Sequence, residues 1–385
     1  MRITKGKEMS KTLKGAVVLA VVGGLVLAGC STDREGTESE STPATSGSTG
    51  ATAEASGQCF DADAVIGVAL PQKTSENWVL AETLFNDGLT EAGFTPVVQF
   101  GNAGVTEQQN QIDAMVEQGA KVIIVGAIDG SQLGGQLEAA KATGASVIAY
   151  DRLVKNTEAV DAYVAFDNYK VGVLQGEALL QGLAERKGDG PYNIELIAGS
   201  SDDANSIPFF EGGMSVLQPK IDDGTLVIVS GQTTFEQVAT AGWKAENAQK
   251  RMDTVLSGSY SGDVELDGVL SPNDTLARAA LTSVSQAGKE TPVITGQDSE
   301  VESVKSIMAG EQYSTIYKDT RELVAQSIAS VEALQKCEDI PVNDTEQYDN
   351  GVKIVPAFLL EPKIVTMDNA AEVYAEDATL EPLTK

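Results

Sequence analysis

The chain has 385 residues and a formal net charge of −29 at pH 7, from 27 lysines and arginines against 56 aspartates and glutamates. A balance this acidic argues against a nucleic-acid or anionic-membrane partner, because basic patches carry the affinity for both. The sequence has no histidine, which excludes histidine-ligated metals and catalysis by Ser-His-Asp or Cys-His groups. We therefore expect no metal, no cofactor and no nucleic-acid partner.

The N-terminus has the layout of an export signal. Lysines and an arginine precede an apolar run from Ala16 to Ala28, which is shorter than the roughly 20 residues that a membrane-spanning helix needs. The run ends in Leu27-Ala28-Gly29-Cys30, which resembles a bacterial lipobox, the motif whose cysteine becomes the lipid-modified first residue of the mature protein. We expect a signal peptide over residues 1–29 and lipidation of Cys30. The alternative is an ordinary signal peptide with a cysteine there by chance, and translation from Met9 would preserve either signal.

A polar segment follows this cysteine. From Ser31 to Gln58 the chain consists mainly of Ser, Thr, Gly, Ala and Glu, a composition that cannot bury enough apolar surface to fold. As a flexible coil it would reach about 30 Å from end to end. We predict that residues 30–58 are a disordered tether. It would hold a folded body at the extracytoplasmic face of the cell membrane, with the lipid anchor as its only membrane contact.

Short apolar runs alternate with helical patterns over residues 59–385. Most of the runs are apolar without a break, as in parallel strands that are covered on both faces. The predicted strands are Val65–Leu70, Pro96–Phe100, Val122–Ile128, Ser146–Tyr150, Ala162–Phe166, Asn193–Ala198, Leu226–Ser230, Gly268–Leu270, Pro292–Thr295 and Tyr313–Tyr317. Spacings such as that of Val301, Val304 and Ile307 predict helices between them. Such alternation is typical of α/β proteins with doubly wound sheets.

Ten strands are more than one open sheet of this type usually carries, so we predict two lobes, each a doubly wound parallel sheet. The first lobe would hold residues 59–165 and 318–348, and the second lobe residues 166–317 and 349–385. The chain would cross between the lobes three times, the last time near Asn350, which makes a hinge. A ligand is expected in the cleft, at the carboxyl ends of the strands.

Polar side chains follow the ends of the predicted strands, and both tryptophans stand where a loop enters a helix. The set is Asn77, Trp78, Asp151, Arg152, Asp203, Asn205, Trp243, Asn273, Asp298 and Lys318. Flat aromatic rings suit the C–H faces of a monosaccharide, and the polar groups suit its hydroxyls, each both donor and acceptor. Each residue has a structural alternative, such as a helix cap for an Asp or Asn, core packing for Trp78, or a structural ion pair for Asp151-Arg152.

Short motifs carry a resemblance to a known family over Ala64–Val373. They are Val147-Ile148-Ala149-Tyr150-Asp151-Arg152-Leu153, Phe166-Asp167-Asn168, Val171-Gly172, Gly199-Ser200, Gly242-Trp243-Lys244-Ala245-Glu246-Asn247-Ala248, Ser271-Pro272-Asn273-Asp274, Gly296-Gln297-Asp298 and Tyr313-Ser314-Thr315-Ile316-Tyr317-Lys318. In these motifs the chain resembles the xylose-binding and multiple-monosaccharide-binding proteins of bacterial ABC importers. These belong to the ribose/galactose-type periplasmic binding proteins, so the resemblance implies the type I periplasmic binding protein fold.

The resemblance also implies a function. The chain would bind a monosaccharide of the xylose, glucose, galactose or arabinose class and deliver it, as a monomer, to an ABC permease and its ATPase subunit. The family's stacking aromatics fall on Trp78 and Trp243, and its polar sugar ligands on the rest of the set above except Asn77. Asn77 stands where the family usually has Arg, and Ala204 where it often has Asn. We expect these departures to affect which sugar is preferred.

Three rival functions fit part of this pattern. Glycoside hydrolysis needs a protonated acid opposite a second carboxylate, but Arg152 and Lys318 are expected to keep Asp203 and Asp298 ionised, so we expect no enzyme. A transcription regulator of the same fold would need a basic helix-turn-helix ahead of the first lobe, where residues 31–58 are acidic instead. A sugar-sensing partner of a chemoreceptor or sensor kinase keeps both fold and ligand, and the sequence leaves it open.

Two cysteines remain if Cys30 is lipidated, in a compartment where disulfides persist. Cys59 stands just before the first strand of the first lobe. Cys337 ends a predicted helix, Arg321–Gln335, that the chain returns to the same lobe. We expect a disulfide between them at the outer end of that lobe, away from the cleft; the alternative is two free thiols.

Overall fold

The computed structural model describes residues 59–73 and 75–385. The predicted signal peptide, the lipidation site Cys30 and the predicted tether lie outside the described residues. In the two described ranges, no helix combines the length and the apolar character that crossing a membrane requires.

The first stretch of the chain forms parallel strands with helices between them. In chain order the elements are β1 (Val65–Leu70), α1 (Glu76–Glu91), β2 (Thr95–Phe100), α2 (Val105–Glu117), β3 (Val122–Val125), α3 (Gly134–Ala142), β4 (Ser146–Tyr150) and β5 (Ala162–Phe166). Every residue of β3 is fully buried. Both faces of this strand are therefore covered, as its unbroken apolar run predicts.

The second stretch forms a second unit of the same kind. Its elements are α4 (Asn168–Lys187), β6 (Tyr192–Leu196), α5 (Ser206–Asp222), β7 (Leu226–Ile228), α6 (Phe235–Val238), α7 (Ala245–Ser259), β8 (Gly268–Leu270), α8 (Asp274–Gln286), β9 (Val293–Ile294), α9 (Val301–Met308) and β10 (Ser314–Tyr317). A short 3-10 turn at Ala241–Trp243 precedes α7. Strands β6 to β9 form a parallel sheet in the order β7-β6-β8-β9.

The last stretch returns to the first lobe and then to the second. Its elements are α10 (Thr320–Gln335), β11 (Ala357–Leu360), β12 (Lys363–Thr366) and α11 (Ala370–Val373). Leu323, Val324 and Val331 of α10 are buried in the core of the first lobe, whereas β12 pairs antiparallel with β10. The predicted α/β fold of two parallel-sheet lobes is confirmed.

The final crossing lies later in the chain than predicted. The sequence pattern places it near Asn350, but β11 pairs in parallel with β5, and the first sheet has the order β11-β5-β4-β3-β1-β2. Residues 349–360 therefore lie with the first lobe, and the chain crosses at Glu361-Pro362. The strand is hard to recognise because it is short and lies at a sheet edge, where only Ala357 of its four residues is fully buried.

A disulfide joins Cys59 to Cys337, with the two α-carbons 5.2 Å apart. The backbone N–H of Cys59 also donates to the carbonyl oxygen of Gln335 at 2.7 Å. Both contacts fasten the segment ahead of β1 to the end of α10, within the first lobe.

Removing this disulfide should destabilise the protein without changing its fold. The double variant Cys59→Ser, Cys337→Ser should lose at most about 5 kcal/mol of unfolding free energy, because the bond links residues 278 apart and restrains the unfolded chain. Urea denaturation followed by circular dichroism measures the difference, and wild type with reductant should match the double variant. Two titratable thiols in the unfolded, unreduced mature protein would contradict the pairing.

Candidate functional site

A cavity lies between the two lobes. About 440 Å³ of space outside the protein atoms lies within it, including the open space at its mouth. Its lining residues are Ser75, Asn77, Trp78, Asp151, Arg152, Asp203, Asn205, Phe209, Trp243, Asn273, Gln297, Asp298 and Lys318. The structure thus brings all ten residues of the predicted set together, at the carboxyl ends of strands from both sheets.

The first lobe supplies one aromatic wall. Trp78 lies in the first turn of α1 and is only 7% exposed. Its ring packs edge-on against Tyr150, with centroids 6.0 Å apart, and the guanidinium carbon of Arg152 lies 5.3 Å from its centroid. Arg152 also donates from Nη1 to the carbonyl oxygen of Ala127 at 3.1 Å. Packing and hydrogen bonding therefore fix both the ring and the cation beside it.

The second lobe supplies the other tryptophan. Trp243 ends the 3-10 turn before α7, and its Nε1–H donates to Oδ2 of Asp203 at 3.0 Å. A β-carbon on Gly199 would lie 2.2 Å from Cζ2 of Trp243, a distance at which two carbon atoms overlap. The ring therefore packs directly on bare backbone, and position 199 has room for glycine alone.

Charged groups of both signs meet in the cavity. Nε of Arg152, in the first lobe, lies 3.0 Å from Oδ2 of Asp203, in the second. Nζ of Lys318, in the crossing after β10, lies 3.2 Å from Oδ1 of Asp298 and 3.8 Å from Oδ2 of Asp151. Three carboxylates and two cations thus share one site, which leaves hydrogen-bonding capacity of both kinds for a neutral ligand.

Burial acts on the pKa of these groups in opposite directions. Burial alone would lower the pKa of Lys318, but Asp298 and Asp151 outweigh it, so its pKa is raised and the ammonium stays charged. For Asp203, burial raises the pKa of the carboxyl above its ordinary value, and Arg152 lowers it only in part. Arg152 acts in the expected direction, because it favours the charged carboxylate, but desolvation has the larger effect on this pKa.

The cavity wall also carries backbone strain and an unused acceptor. Asp151, Trp243 and Asp298 have φ values of 60°, 55° and 95°, in the left-handed region that costs a non-glycine residue about 1–3 kcal/mol. Oε1 of Gln297 is buried and has no hydrogen-bond partner among the described residues. Strained residues and unsatisfied buried acceptors concentrate at functional sites, and a ligand hydroxyl would satisfy this acceptor.

Asp274 holds the bend 296–300, which carries part of the cavity wall. Its side chain is fully buried, and its carboxylate accepts hydrogen bonds from the N–H of Glu300 at 2.9 Å, Nε2 of Gln312 at 2.8 Å and Oγ1 of Thr315 at 3.0 Å. Burial, followed by the nearby Glu300 carboxylate, raises the pKa of Asp274 well above its ordinary value. This residue fixes the bend without lining the cavity.

Three lining residues are missing from the predicted set. Gln297 follows a strand and lies in the motif Gly296-Gln297-Asp298, so the sequence pattern could have identified it. Ser75 precedes Asn77 and donates from Oγ to its Oδ1 at 3.1 Å, whereas Phe209 lies on α5, where a large apolar residue ordinarily indicates core.

One of the structural alternatives holds as well, because Asn273 both lines the cavity and caps α8, where its Oδ1 accepts from the N–H of Leu276 at 2.9 Å.

Comparison with known proteins gives one family. A family profile described as a periplasmic binding protein domain matches residues 66–339. The multiple sugar-binding periplasmic receptor ChvE of Rhizobium radiobacter is 45% identical over 323 residues, which cover 82% of this chain and 91% of the relative. The D-xylose-binding periplasmic protein of Escherichia coli K12 is 32% identical over 313 residues, 81% of this chain and 89% of the relative.

Solved structures share the architecture. An ABC transporter solute binding protein from Clostridium phytofermentans with bound β-D-glucose superposes with a TM-score of 0.80 at 40% identity, covering 83% of this chain and 100% of that chain. A carbohydrate transporter solute binding protein from Chloroflexus aurantiacus in complex with D-glucose gives a TM-score of 0.76 at 33% identity, covering 82% and 96%. The likeness therefore includes both lobes.

The contact between Gly199 and Trp243 leads to a prediction about stability and fluorescence. Gly199→Ala should destabilise the protein by about 1–3 kcal/mol, because the added methyl group must displace the indole ring. It should also shift the tryptophan emission spectrum as Trp243 leaves Asp203. Gly258→Ala is the matched control, since a β-carbon there meets nothing within 4 Å. Equal melting temperatures and spectra for the two variants would contradict the packing.

The buried Asp274 makes a prediction about pH. A carboxyl whose pKa is raised by folding stabilises the folded state most below about pH 4, the ordinary Asp pKa, and this contribution is lost as the pH rises through the folded-state pKa. The unfolding free energy of wild type minus that of Asp274→Asn should therefore fall as the pH is raised from about 4 to about 7. Urea denaturation across that range measures it, with Asp202→Asn as an exposed control. A difference that rises with pH would contradict the direction.

Proposed function

The chain belongs to the periplasmic binding protein family and has its type I fold, and from that premise we propose that it binds one monosaccharide between its lobes and delivers it to an ABC importer. The observation that carries this proposal is the cavity wall, where one tryptophan from each lobe stands among carboxylates, amides and two cations. The relatives named for sugar binding and the glucose-bound structures support it.

The cavity chemistry suits a pyranose of the xylose, glucose, galactose or arabinose class. Trp78 and Trp243 offer flat faces to ring C–H groups, and Asp151, Asp203 and Asp298 accept from hydroxyls. Arg152, Lys318, Asn205 and Asn273 donate to hydroxyl oxygens, and charged partners make such hydrogen bonds roughly twice as strong as neutral ones. No step of covalent chemistry is needed, and we propose a receptor rather than an enzyme.

The two departures from the family pattern differ in their surroundings. Ala204 packs against the core of the first lobe and does not line the cavity. Asn77 lines the cavity, and its Oδ1 accepts from Ser75. We propose that Asn77, rather than Ala204, makes the sugar preference of this chain differ from that of relatives with Arg at this position.

Delivery requires a body held near its importer. We propose that Cys30 is lipidated, that residues 30–58 tether the lobes to the extracytoplasmic face of the membrane, and that the receptor works as a monomer. Closure of the lobes on the sugar would give the permease and its ATPase subunit one liganded shape to recognise. Because both lobes supply lining residues, the sugar selects the closed state.

A thermal-shift screen tests the ligand class. Xylose, glucose, galactose and arabinose are each added to the mature protein, and a sugar at about 100 times its Kd should add roughly 2.7 kcal/mol of stability. At least one should raise the melting temperature and change the tryptophan emission, because both tryptophans of the chain line the cavity.

Variants connect that shift to the cavity. Trp78→Ala and Trp243→Ala should each weaken binding by about 1–3 kcal/mol, whereas Tyr169→Ala removes an exposed aromatic side chain outside the cavity and should leave binding unchanged. A shift with a nucleoside or an amino acid, and none with the four sugars, would contradict the proposed class.

A further inference from the structure

The second lobe contacts the first through three consecutive residues beside the cavity. We call Asp203–Asn205 the joining segment. Asp203 pairs with Arg152 at 3.0 Å, and Ala204 packs against the apolar core of the first lobe. Asn205, just before α5, is 3% exposed. Every residue of this segment therefore touches the other lobe.

Both polar atoms of the Asn205 side chain, the amide nitrogen and the amide oxygen, contact the first lobe. Its Nδ2 donates to the carbonyl oxygen of Asp151 at 2.8 Å, and its Oδ1 lies 3.1 Å from the hydroxyl of Tyr163. An amide offers one carbonyl oxygen and two N–H groups. Although Asn205 lines the cavity, its oxygen and one N–H thus serve the contact between lobes.

Tyr163 belongs to β5 and lies behind the cavity wall. It is fully buried and is not among the cavity-lining residues. Burial raises the pKa of its hydroxyl well above the ordinary value, so the group keeps its proton. It lies 2.6 Å from the carbonyl oxygen of Asp151 and accepts from Nδ2 of Asn168, the first residue of α4. Tyr163 therefore meets the second lobe at Asn205 and at the start of α4.

We infer that Tyr163 is a positioning residue that favours the closed state through Asn205, and so scales the affinity for every ligand of the cavity by one factor. The inference rests on the proposed function, since it concerns ligands bound between the lobes. A group that touches the ligand changes affinity by an amount that depends on the ligand's hydroxyls. A group that only joins the lobes changes the closed fraction, and the apparent Kd of each ligand rises as that fraction falls.

The test is a calorimetric titration of three sugars, D-glucose, D-xylose and L-arabinose, into wild type and Tyr163→Phe. Loss of a buried neutral hydrogen bond should raise Kd about 2- to 10-fold, by the same factor for each sugar that binds. In an Asn205→Ala background the effect of Tyr163→Phe should shrink, because the hydroxyl has lost its partner across the lobes. If Tyr163 had a merely structural role, the effect of Tyr163→Phe on Kd would not depend on the presence of Asn205.

Tyr260→Phe is the matched control. Tyr260 is also buried, but its hydroxyl donates to Oε1 of Glu195 within the second lobe at 2.9 Å, so its loss should lower stability and leave every Kd unchanged. An unchanged Kd for Tyr163→Phe, or factors that differ between sugars beyond error, would overturn the inference.

X-ray scattering of the ligand-free proteins supplies a readout that needs no sugar. Tyr163→Phe should have a larger radius of gyration than wild type and Tyr260→Phe. If wild type binds neither these three sugars nor galactose, the proposed function fails and scattering alone tests the inference. Equal radii would then overturn the inference, and a larger radius for Tyr163→Phe would support it.

Discussion

The ion pair between Arg152 and Asp203 is the contact on which the cavity depends, because it joins a cation of one lobe to an anion of the other between the two tryptophans. Neither side chain is more than 10% exposed. Burying such a pair loses hydration energy that nearly offsets the attraction, whereas removing one partner costs about 3–5 kcal/mol. Contact between the lobes is thus specific in geometry while its net free energy stays small. A bound molecule that adds a few hydrogen bonds can then decide the position of the lobes.

Much of this arrangement follows from the sequence through one rule of parallel sheets. Unbroken apolar runs such as Val122–Val125 mark strands covered on both faces, and the carboxyl ends of such strands meet at one edge. Polar residues just after the runs, such as Asp151 in the first lobe and Asn273 in the second, therefore lie at the carboxyl edges of their own sheets. Their spacing in the chain carries no such information, and it is the facing of the two lobes that brings both edges to one cavity.

What the sequence could not reveal depends on three-dimensional surroundings. Tyr163 is the second residue of the apolar strand β5, where the sequence pattern indicates a core residue, and only the position of the facing lobe shows that its hydroxyl meets Asn205. Strand β11 is short, and its pairing with β5 depends on an edge that the sheet leaves open. The pKa of Asp203 depends on how completely water is excluded from its carboxyl group. The presence of Arg152 in the sequence does not reveal that burial.

The three connections between the lobes are short. Asp167 alone separates β5 from α4, two residues separate β10 from α10, and Glu361-Pro362 separates β11 from β12. At about 3.3–3.6 Å per residue, such links cannot lengthen enough for the lobes to slide apart, and the proline ring fixes one further torsion angle. Rotation about an axis through the links is the motion that remains. We therefore expect the cleft to open by rotation about these links, with a gap that is widest at the lip and nearly constant beside the links.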